Sequence, residues 1–182
     1  MTSFAIAGGE IFYSDQGNGD GVILVHGFAA SVQENWVKAG WIQMLTRAGR
    51  RVVAIDLRGH GQSTAFRQSA DYSLPLMAGD VLAIVEHLQI KKPDLIGFSL
   101  GARVVLELLR MRGDRFLLGV LCGVGETLLN PREERDPEAF AKAMEAPSAE
   151  AIDDDMARRF RLFAEAQGQD LAALAACSRG LA

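Results

Sequence analysis

The sequence contains few cysteines and no long apolar run, and each scarcity excludes a class of protein. The two cysteines among its 182 residues, Cys122 and Cys177, have neither CxxC spacing nor nearby histidines, so we expect reduced thiols and no structural metal. Charges or glycines interrupt every apolar run before it reaches the ~18 residues that a membrane helix needs. The N-terminus lacks the basic and long apolar segments of a secretion signal, which favours a cytoplasmic protein without a membrane segment.

Positive charge is scarce as well. The chain has 19 Lys and Arg against 23 Asp and Glu, which gives a formal net charge of −4 and a pI near 5.4. Surfaces that bind nucleic acids are strongly basic, so we expect no nucleic-acid partner. The hydrophobic fraction of 49% is large enough for a packed core, and the length suits one domain with a small appendage.

Short apolar runs separated by helical periodicity predict a parallel sheet. The runs at 22–25 and 52–55 are continuous and rich in β-branched residues, as expected for strands buried on both faces. Weaker runs follow at 95–96 and 116–121, and a hairpin with a Gly8-Gly9 turn precedes them all. Apolar residues recur at helical spacing in three intervening segments, which are 37–48, 74–88 and 100–111. This alternation predicts an α/β fold with a mostly parallel sheet and flanking helices.

The chain changes character after its last predicted strand. Helix-start signals recur at Asp136, at Pro147-Ser148 and at Asp170, with no strand pattern between them. We therefore expect two units, an α/β core over 1–125 and a helical cap segment over 126–182.

Residues 97–101 read Gly-Phe-Ser-Leu-Gly and carry the strongest chemical signal. The pattern G-x-S-x-G is weak alone, but here it follows a predicted strand and opens a predicted helix, which is the context that the motif requires. Such a turn lifts the Ser99 oxygen clear of the sheet, and side chains at positions 97 and 101 would collide with the neighbouring strand and helix. The helix N-terminus favours a developing negative charge on a substrate. The alternative is a serine that only caps the helix between two packing glycines.

Two further segments follow predicted strands at the carboxyl edge of the sheet, where open α/β sheets build their sites. Residues 25–28 read VHGF and residues 56–63 read DLRGHGQS. Together with GFSLG at 97–101, and in this order, they resemble the α/β-hydrolase superfamily, in particular its esterase-like and lipase-like serine hydrolases. The resemblance covers most of the first two-thirds of the chain, and its three motifs are jointly specific.

The resemblance implies a role for each motif. It assigns Ser99 as the nucleophile and the backbone N–H groups of Phe28 and Leu100 as the oxyanion hole, and it makes the loop at 56–63 structural. It also implies a helical cap over 126–182, no cofactor and no catalytic metal. Aromatic and apolar side chains near the serine favour a small-molecule ester, or a similar substrate, with an apolar acyl or alcohol part.

The order of the histidines departs from this family. The family's catalytic order is Ser, then acid, then His, whereas His26, His60 and His87 all precede Ser99. We expect His26 and His60 to be structural and His87 to lie exposed near a helix end. Among the acids that follow the serine, Glu126 is the one placed just after the last predicted strand.

These departures predict an α/β hydrolase fold that is C-terminally incomplete and carries a helical cap segment. A truncated protein, an interrupted reading frame and a degenerate relative all fit the sequence. Because a serine without a base is a weak nucleophile, we expect a serine hydrolase of the esterase type with little or no turnover. Two alternatives remain open: a non-catalytic binding or interaction module on the same fold, and a relative that acts as a perhydrolase or a C–C bond hydrolase.

The predicted strand at 116–121 is also expected to be an exposed edge, because in the family the sheet continues beyond this strand. Its sequence contains no charge and no proline, the features that usually protect an edge strand. We therefore expect self-association of the chain through this strand.

Overall fold

Six strands form one sheet, and helices pack on both of its faces. A computed structural model describes residues 1–125 and 137–181, so Glu126 and the predicted helix start at Asp136 lie outside the described residues. The strands are β1 (Thr2–Ile6), β2 (Gly9–Gln16), β3 (Gly21–Val25), β4 (Arg51–Ile55), β5 (Asp94–Phe98) and β6 (Gly119–Cys122). Their order in the sheet is β1-β2-β4-β3-β5-β6.

Most of the sheet is parallel. β3 pairs in parallel with β4 and β5, and β5 pairs in parallel with β6, while the β1–β2 hairpin adds to β4 in the antiparallel direction. Every residue of β3 is buried, as its continuous apolar sequence predicts. The predicted α/β class with a mostly parallel sheet is therefore confirmed. Because parallel strands end at the same edge, the segments that follow β3, β4 and β5 meet there.

The described part of the chain contains six α-helices: α1 (Trp41–Arg47), α2 (Leu74–His87), α3 (Leu100–Arg112), α4 (Pro137–Glu145), α5 (Asp155–Ala166) and α6 (Leu171–Gly180). Short helical turns occur at Gln33–Val37, Ser69–Asp71, Gly113–Arg115 and Ala149–Ala151. The side chains of Ser73, Asp154 and Asp170 each accept a hydrogen bond from a backbone N–H three residues further on. These caps determine where α2, α5 and α6 begin.

Two predicted helices begin later than the sequence pattern suggests. The helix expected over 37–48 is interrupted at Gly40, whose φ of 76° is left-handed, so α1 begins only at Trp41. The helix expected from Pro147-Ser148 also begins later, because the Asp154 side chain provides the cap for α5. In both cases a local feature of the chain set the boundary.

The sheet separates two apolar clusters. One lies between the sheet and helices α2 and α3, and it contains Ile23 and Leu95. The other lies on the face that α1 covers, and it includes Leu24 and Trp36. The rings of Trp36 and Trp41 meet edge-on with centroids 6.0 Å apart, so this tryptophan pair belongs to the packing of the fold.

Helices α4, α5 and α6, here called the C-terminal helices, pack against the segment that follows β3. An apolar cluster joins Ala29 of that segment to residues of all three helices, namely Ala141, Met144, Ala164, Leu174 and Ala175. The buried Arg161 guanidinium donates hydrogen bonds to the carbonyl oxygens of Ala143, Met144 and Ala146, at or just after the end of α4. The C-terminal helices therefore lie at the carboxyl edge of the sheet, while the division of the chain at residue 125 stays a prediction.

Neither a membrane-spanning helix nor a cluster of metal ligands occurs in the described residues. No helix in this part of the chain is long and apolar enough to cross a membrane. No group of three or more His, Cys, Asp and Glu side chains in residues 1–125 and 137–181 could hold a metal ion. Cys122 and Cys177 are both free thiols, as their spacing predicts.

The strand β6 and the two residues before it expose apolar side chains at one end of the sheet. β6 is the last strand of the sheet in the described residues, and it begins at Gly119 rather than at residue 116. Just before it, the Leu117 N–H donates to the Pro93 carbonyl oxygen at 3.2 Å, and the Leu118 carbonyl oxygen accepts from the Leu95 N–H at 2.8 Å. The side chains of Leu117, Leu118 and Val120 are 73%, 55% and 38% exposed. This combination of an open edge and apolar side chains favours association between chains.

We expect Leu118→Lys and Val120→Lys to reduce self-association, because a charge at a strand-to-strand contact is costly to desolvate. Light scattering at about 100 μM compares both variants with the wild type. Leu106→Lys is the matched control. Leu106 is exposed on α3, so this variant adds the same charge away from β6 and the residues just before it. A wild-type chain that stays monomeric, or an equal effect of the control, would contradict association through β6.

Candidate active site

Ser99 occupies a strained turn between β5 and α3. Its φ of 51° and ψ of −111° lie outside the regions that serine normally adopts. Its backbone N–H donates to the Cys122 carbonyl oxygen at 2.8 Å, and its carbonyl oxygen accepts from the Ala102 N–H at 3.0 Å. The half-buried Ser99 side chain makes no capping hydrogen bond to the N-terminus of α3, which is fully described. The conformation therefore does not support the alternative of a serine that serves only as a helix cap.

Glycines allow the strand, the turn and the helix to approach one another closely. A Cβ on Gly101 would collide with the Val25 carbonyl oxygen, and a Cβ on Gly97 would collide with the Gly101 carbonyl oxygen. The predicted collisions at positions 97 and 101 are therefore confirmed. Gly27 also lies close to Ser99, since a Cβ there would be 3.4 Å from the serine Cβ.

The strain at Ser99 leads to a stability prediction. We expect Ser99→Gly to raise the free energy of unfolding by about 1 kcal/mol, because glycine adopts a positive φ without steric cost. Ser99→Ala retains the strain and loses no capping bond, so its free energy of unfolding should stay within about 0.5 kcal/mol of the wild type. Urea unfolding measures both values. A loss above about 2 kcal/mol in Ser99→Ala would show that the hydroxyl is a structural cap.

The segment after β3 forms a tight turn over Gly27–Ala30, here called the 27–30 turn. The Ala30 N–H donates to the Gly27 carbonyl oxygen at 3.2 Å, and Ala29 between them has a φ of 59°, which alanine rarely adopts. The N–H groups of Phe28 and Ala29 take no part in the bond that closes the turn. The turn begins at Gly27, beside Ser99.

Side chains from the core hold this turn in place. The Asn35 side-chain oxygen accepts a hydrogen bond from the Gly27 N–H at 2.9 Å, and the Asp56 carboxylate accepts one from the Val32 N–H at 2.7 Å. No motif in the sequence marks Asn35, so its contact with the turn is found only in the folded chain. The strained turn is thus fixed at its first residue and just after its last.

The two residues predicted as oxyanion donors, Phe28 and Leu100, directly follow Gly27 and Ser99, and a Cβ on Gly27 would be 3.4 Å from the Ser99 Cβ. Leu100 is the first residue of α3, so its N–H has no acceptor within the helix. Phe28 lies in the 27–30 turn, and its ring contacts the rings of Phe140 and Phe160 at centroid distances of 6.4 and 6.1 Å. When a substrate carbon bonds to the serine oxygen, negative charge develops on the other oxygen that this carbon carries. Backbone N–H groups near the serine can stabilise that charge.

The loop at 56–63 is tied to the core by two buried charges. The Asp56 carboxylate accepts a second hydrogen bond, from the Gln62 N–H at 3.0 Å. Burial raises the pKa of Asp56, while its hydrogen bonds from backbone N–H groups lower it. Arg58 forms a two-bond ion pair with Asp80, with distances of 2.7 and 2.8 Å. These contacts agree with the structural role expected for the loop.

His26 is buried, and both of its ring nitrogens are engaged. Nδ1 donates to the Gly27 carbonyl oxygen at 2.8 Å, and Nε2 accepts from the Leu57 N–H at 3.0 Å. These partners require the neutral ring with its proton on Nδ1. Burial lowers the pKa of His26 to about 4, so its 4.0 Å approach to Asp56 is not an ion pair at neutral pH. His26 therefore has no nitrogen free to take a proton from Ser99.

His60 is buried beside His26 and Phe28, with ring centroids 5.2 and 5.8 Å away. Its Nδ1 donates to the Arg58 carbonyl oxygen at 3.0 Å, and its Nε2 has no hydrogen-bond partner among the described residues. Burial, with a smaller effect from His26, lowers the pKa of His60 to about 3. The ring is therefore neutral at pH 7 and is not hydrogen-bonded to Ser99.

His87 is the last residue of α2 and lies far from the serine in the sheet order. Its ring is exposed and contacts the Phe4 ring of β1, with centroids 5.1 Å apart. β1 is at the end of the sheet opposite β6, whereas Ser99 follows β5. The sequence has three histidines, all of them described, and none of them is placed as a base for Ser99.

The combination of this sheet order, the 27–30 turn and the serine turn matches a known family. A profile of the family described as alpha/beta hydrolase fold matches residues 21–176. The chain belongs to the alpha/beta hydrolase family. The match begins at β3 and extends into α6, so it includes the serine turn and the C-terminal helices.

Curated relatives of this alpha/beta hydrolase are longer proteins. A non-heme haloperoxidase of Rhodococcus erythropolis is 33% identical over 134 residues, which are 73% of this chain and 47% of the relative. The pimeloyl-[acyl-carrier protein] methyl ester esterase of Methylococcus capsulatus is 36% identical over 122 residues, which are 66% of this chain and 44% of the relative. The chain thus spans about half the length of these relatives.

A solved structure shares the arrangement of the whole chain. The bottromycin epimerase BotH, solved in complex with bottromycin A2, matches this alpha/beta hydrolase with a TM-score of 0.75 at 25% sequence identity. The match covers 98% of this chain and 70% of that chain. The likeness therefore includes the C-terminal helices as well as the sheet.

Proposed function

We propose that this alpha/beta hydrolase acts by acyl transfer through Ser99 on small-molecule esters with an apolar acyl or alcohol part. The strained serine turn beside the 27–30 turn is the observation that carries the proposal. In the reaction the Ser99 oxygen bonds to the ester carbonyl carbon while its proton passes to a water molecule, since no histidine of the chain is placed to accept it. The alcohol then leaves with a proton, and water hydrolyses the acyl-serine to free acid and serine.

Backbone donors supply the second part of the proposed mechanism. The N–H groups of Phe28 and Leu100 would bind the carbonyl oxygen as it becomes negative, and the N-terminus of α3 adds its partial positive charge. One such donor contributes on the order of 10²–10³ in kcat in serine hydrolases. The aromatic contacts of Phe28 with Phe140 and Phe160 support an apolar substrate part near this site.

The proposed turnover of the 182-residue chain is low, because no histidine is placed to take the serine proton. Removing the histidine of a triad costs roughly 10⁶ in kcat, while binding and the oxyanion hole alone retain ~10³–10⁴ over water. The buried, engaged nitrogens of His26 support this expectation. The same observation favours a second candidate function, a binding or interaction module that retains the serine turn without catalysis.

Composition supports the remaining parts of the proposal. The net charge of −4 favours small-molecule substrates and no nucleic-acid partner. The name of the Rhodococcus relative, a haloperoxidase, makes a perhydrolase reaction on the same serine a third outcome to be tested.

Hydrolysis of p-nitrophenyl acetate and p-nitrophenyl octanoate tests the proposal. We expect slow release of nitrophenol, faster from p-nitrophenyl octanoate than from p-nitrophenyl acetate. The release should be lost in Ser99→Ala and unchanged in Ser3→Ala, which is a control at an exposed serine. An equal rate in Ser99→Ala would contradict acyl transfer through this serine. Binding of p-nitrophenyl octanoate that depends on Ser99 but leads to no turnover would identify a binding module. Turnover that requires hydrogen peroxide would identify a perhydrolase.

A further inference from the structure

A glutamine between α5 and α6 connects the C-terminal helices to the 27–30 turn. The Gln169 side-chain oxygen accepts a hydrogen bond from the Gly61 N–H at 3.0 Å. Its side-chain nitrogen donates to the Ala30 carbonyl oxygen at 3.3 Å. One side chain thus joins three segments that are far apart in sequence: the α5–α6 connection, the loop at 56–63 and the turn beside the serine.

The 27–30 turn that Gln169 contacts is strained, and residues outside the turn hold it in place. Ala29 keeps a φ of 59°, a left-handed conformation that alanine rarely adopts. On the core side, Asn35 binds the Gly27 N–H and His26 binds the Gly27 carbonyl oxygen, so both contacts act at the first residue of the turn. Gln169 binds the carbonyl of Ala30 at the opposite end of the turn. Asp56 holds the chain at Val32, two residues after the turn, whereas Gln169 contacts Ala30, the last residue of the turn itself.

A neighbouring ion pair anchors the C-terminal helices independently of Gln169. Arg67 forms a two-bond ion pair with Asp170, the residue after Gln169 and the cap of α6. This pair ties the C-terminal helices to the chain before α2 and does not touch the 27–30 turn. Anchoring of the C-terminal helices thus has its own contact, and Gln169 adds one that reaches the 27–30 turn.

We propose that Gln169 is a positioning residue that holds the 27–30 turn, and with it the Phe28 N–H, where it can bind an oxyanion at Ser99. The proposal rests on the proposed function for its catalytic part. Oxyanion donors must lie within hydrogen-bond distance of an oxygen that exists only in the transition state, so a small shift of the turn weakens them. Gln169 has no contact of its own with the serine in this role.

Amide hydrogen exchange of the peptide that covers residues 26–32 tests the structural part without any need for activity. Gln169→Met removes both hydrogen bonds, and Gln169→Glu retains an acceptor for the Gly61 N–H but loses the donor to Ala30. We expect about tenfold faster exchange of this peptide in both variants, the effect of one lost hydrogen bond. Arg67→Gln is the matched control, and exchange within about twofold of the wild type is expected there. No change in Gln169→Met, a change in that variant alone, or an equal change in the control would overturn the proposal.

Phosphonylation of Ser99 by an alkyl fluorophosphonate tests the positioning part. We expect the maximal rate to fall about fivefold in Gln169→Met and Gln169→Glu, with the half-saturating probe concentration and the melting temperature close to wild-type values. Faster exchange with an unchanged maximal rate would overturn the positioning role. A wild-type chain that is never modified at Ser99 would overturn the proposed function, and the exchange result alone would then decide whether Gln169 holds the turn.

Discussion

A fluorophosphonate is expected to modify Ser99 of this chain on the order of 10⁶ times more slowly than it modifies a serine hydrolase with a complete Ser–His–acid triad. The reason is the placement of the three histidines. His26 has both ring nitrogens engaged, His60 is buried without contact to the serine, and His87 lies beside β1. The rate is measured by intact-mass spectrometry over time, with a complete serine esterase as the reference under the same conditions.

Single histidine variants make this prediction specific. We expect His60→Gln and His87→Gln to be phosphonylated within about twofold of the wild-type rate, since neither ring acts as a base. His87→Gln also controls for the loss of any imidazole, because His87 is exposed and remote from the site. Rapid labelling of the wild type that disappears in His60→Gln would contradict the absence of a base and identify His60 in that role.

Acid is expected to destabilise the fold strongly between pH 6.5 and about pH 4. Burial lowers the pKa of His26 to about 4 and that of His60 to about 3, whereas both titrate near 6.5 in the unfolded chain. Between these values the unfolded chain binds more protons than the folded chain, so the free energy of unfolding falls as the pH falls. One unit of pKa displacement corresponds to roughly 1.4 kcal/mol, so the two rings together amount to several kcal/mol.

Buried carboxyl groups oppose part of this loss near the acid end of the range. The pKa values of Asp56 and Asp80 are raised by burial, so these groups bind protons more readily in the folded chain just above their ordinary value of 3.8. Urea unfolding at a series of pH values measures the net slope. We expect His60→Gln to lose about half of the slope contributed by the two rings and His87→Gln to retain it. A flat profile from pH 6.5 to 5 would contradict the burial of neutral rings.

The sequence predicted the strands and most helices because their signals are local. Strands β3 and β4 are buried on both faces, so their apolar residues are continuous, and the helices between them show regular apolar spacing. The late start of α1 could not be predicted from spacing, because Gly40 interrupts the helix through a positive φ. The continuous apolar run at 116–121 likewise does not show that β6 begins only at Gly119.

The candidate site was predictable where a motif fixes the backbone and unpredictable where packing does. The glycines around Ser99 mark its turn in the sequence, and the structure shows the close approaches that require them. Ala29 adopts a positive φ that nothing in an alanine indicates. Gln169 contacts partners 108 and 139 residues away, so only the folded chain brings it to the turn.

The central claim is that Ser99 reacts and that the N–H groups of Phe28 and Leu100 bind the resulting oxyanion. A crystal structure of the chain after prolonged reaction with a fluorophosphonate tests it most directly. We predict a bond from phosphorus to the Ser99 oxygen, with the phosphonyl oxygen about 3 Å from both backbone nitrogens. Phosphorus bonded to another residue, or a phosphonyl oxygen that faces solvent away from both nitrogens, would contradict the claim.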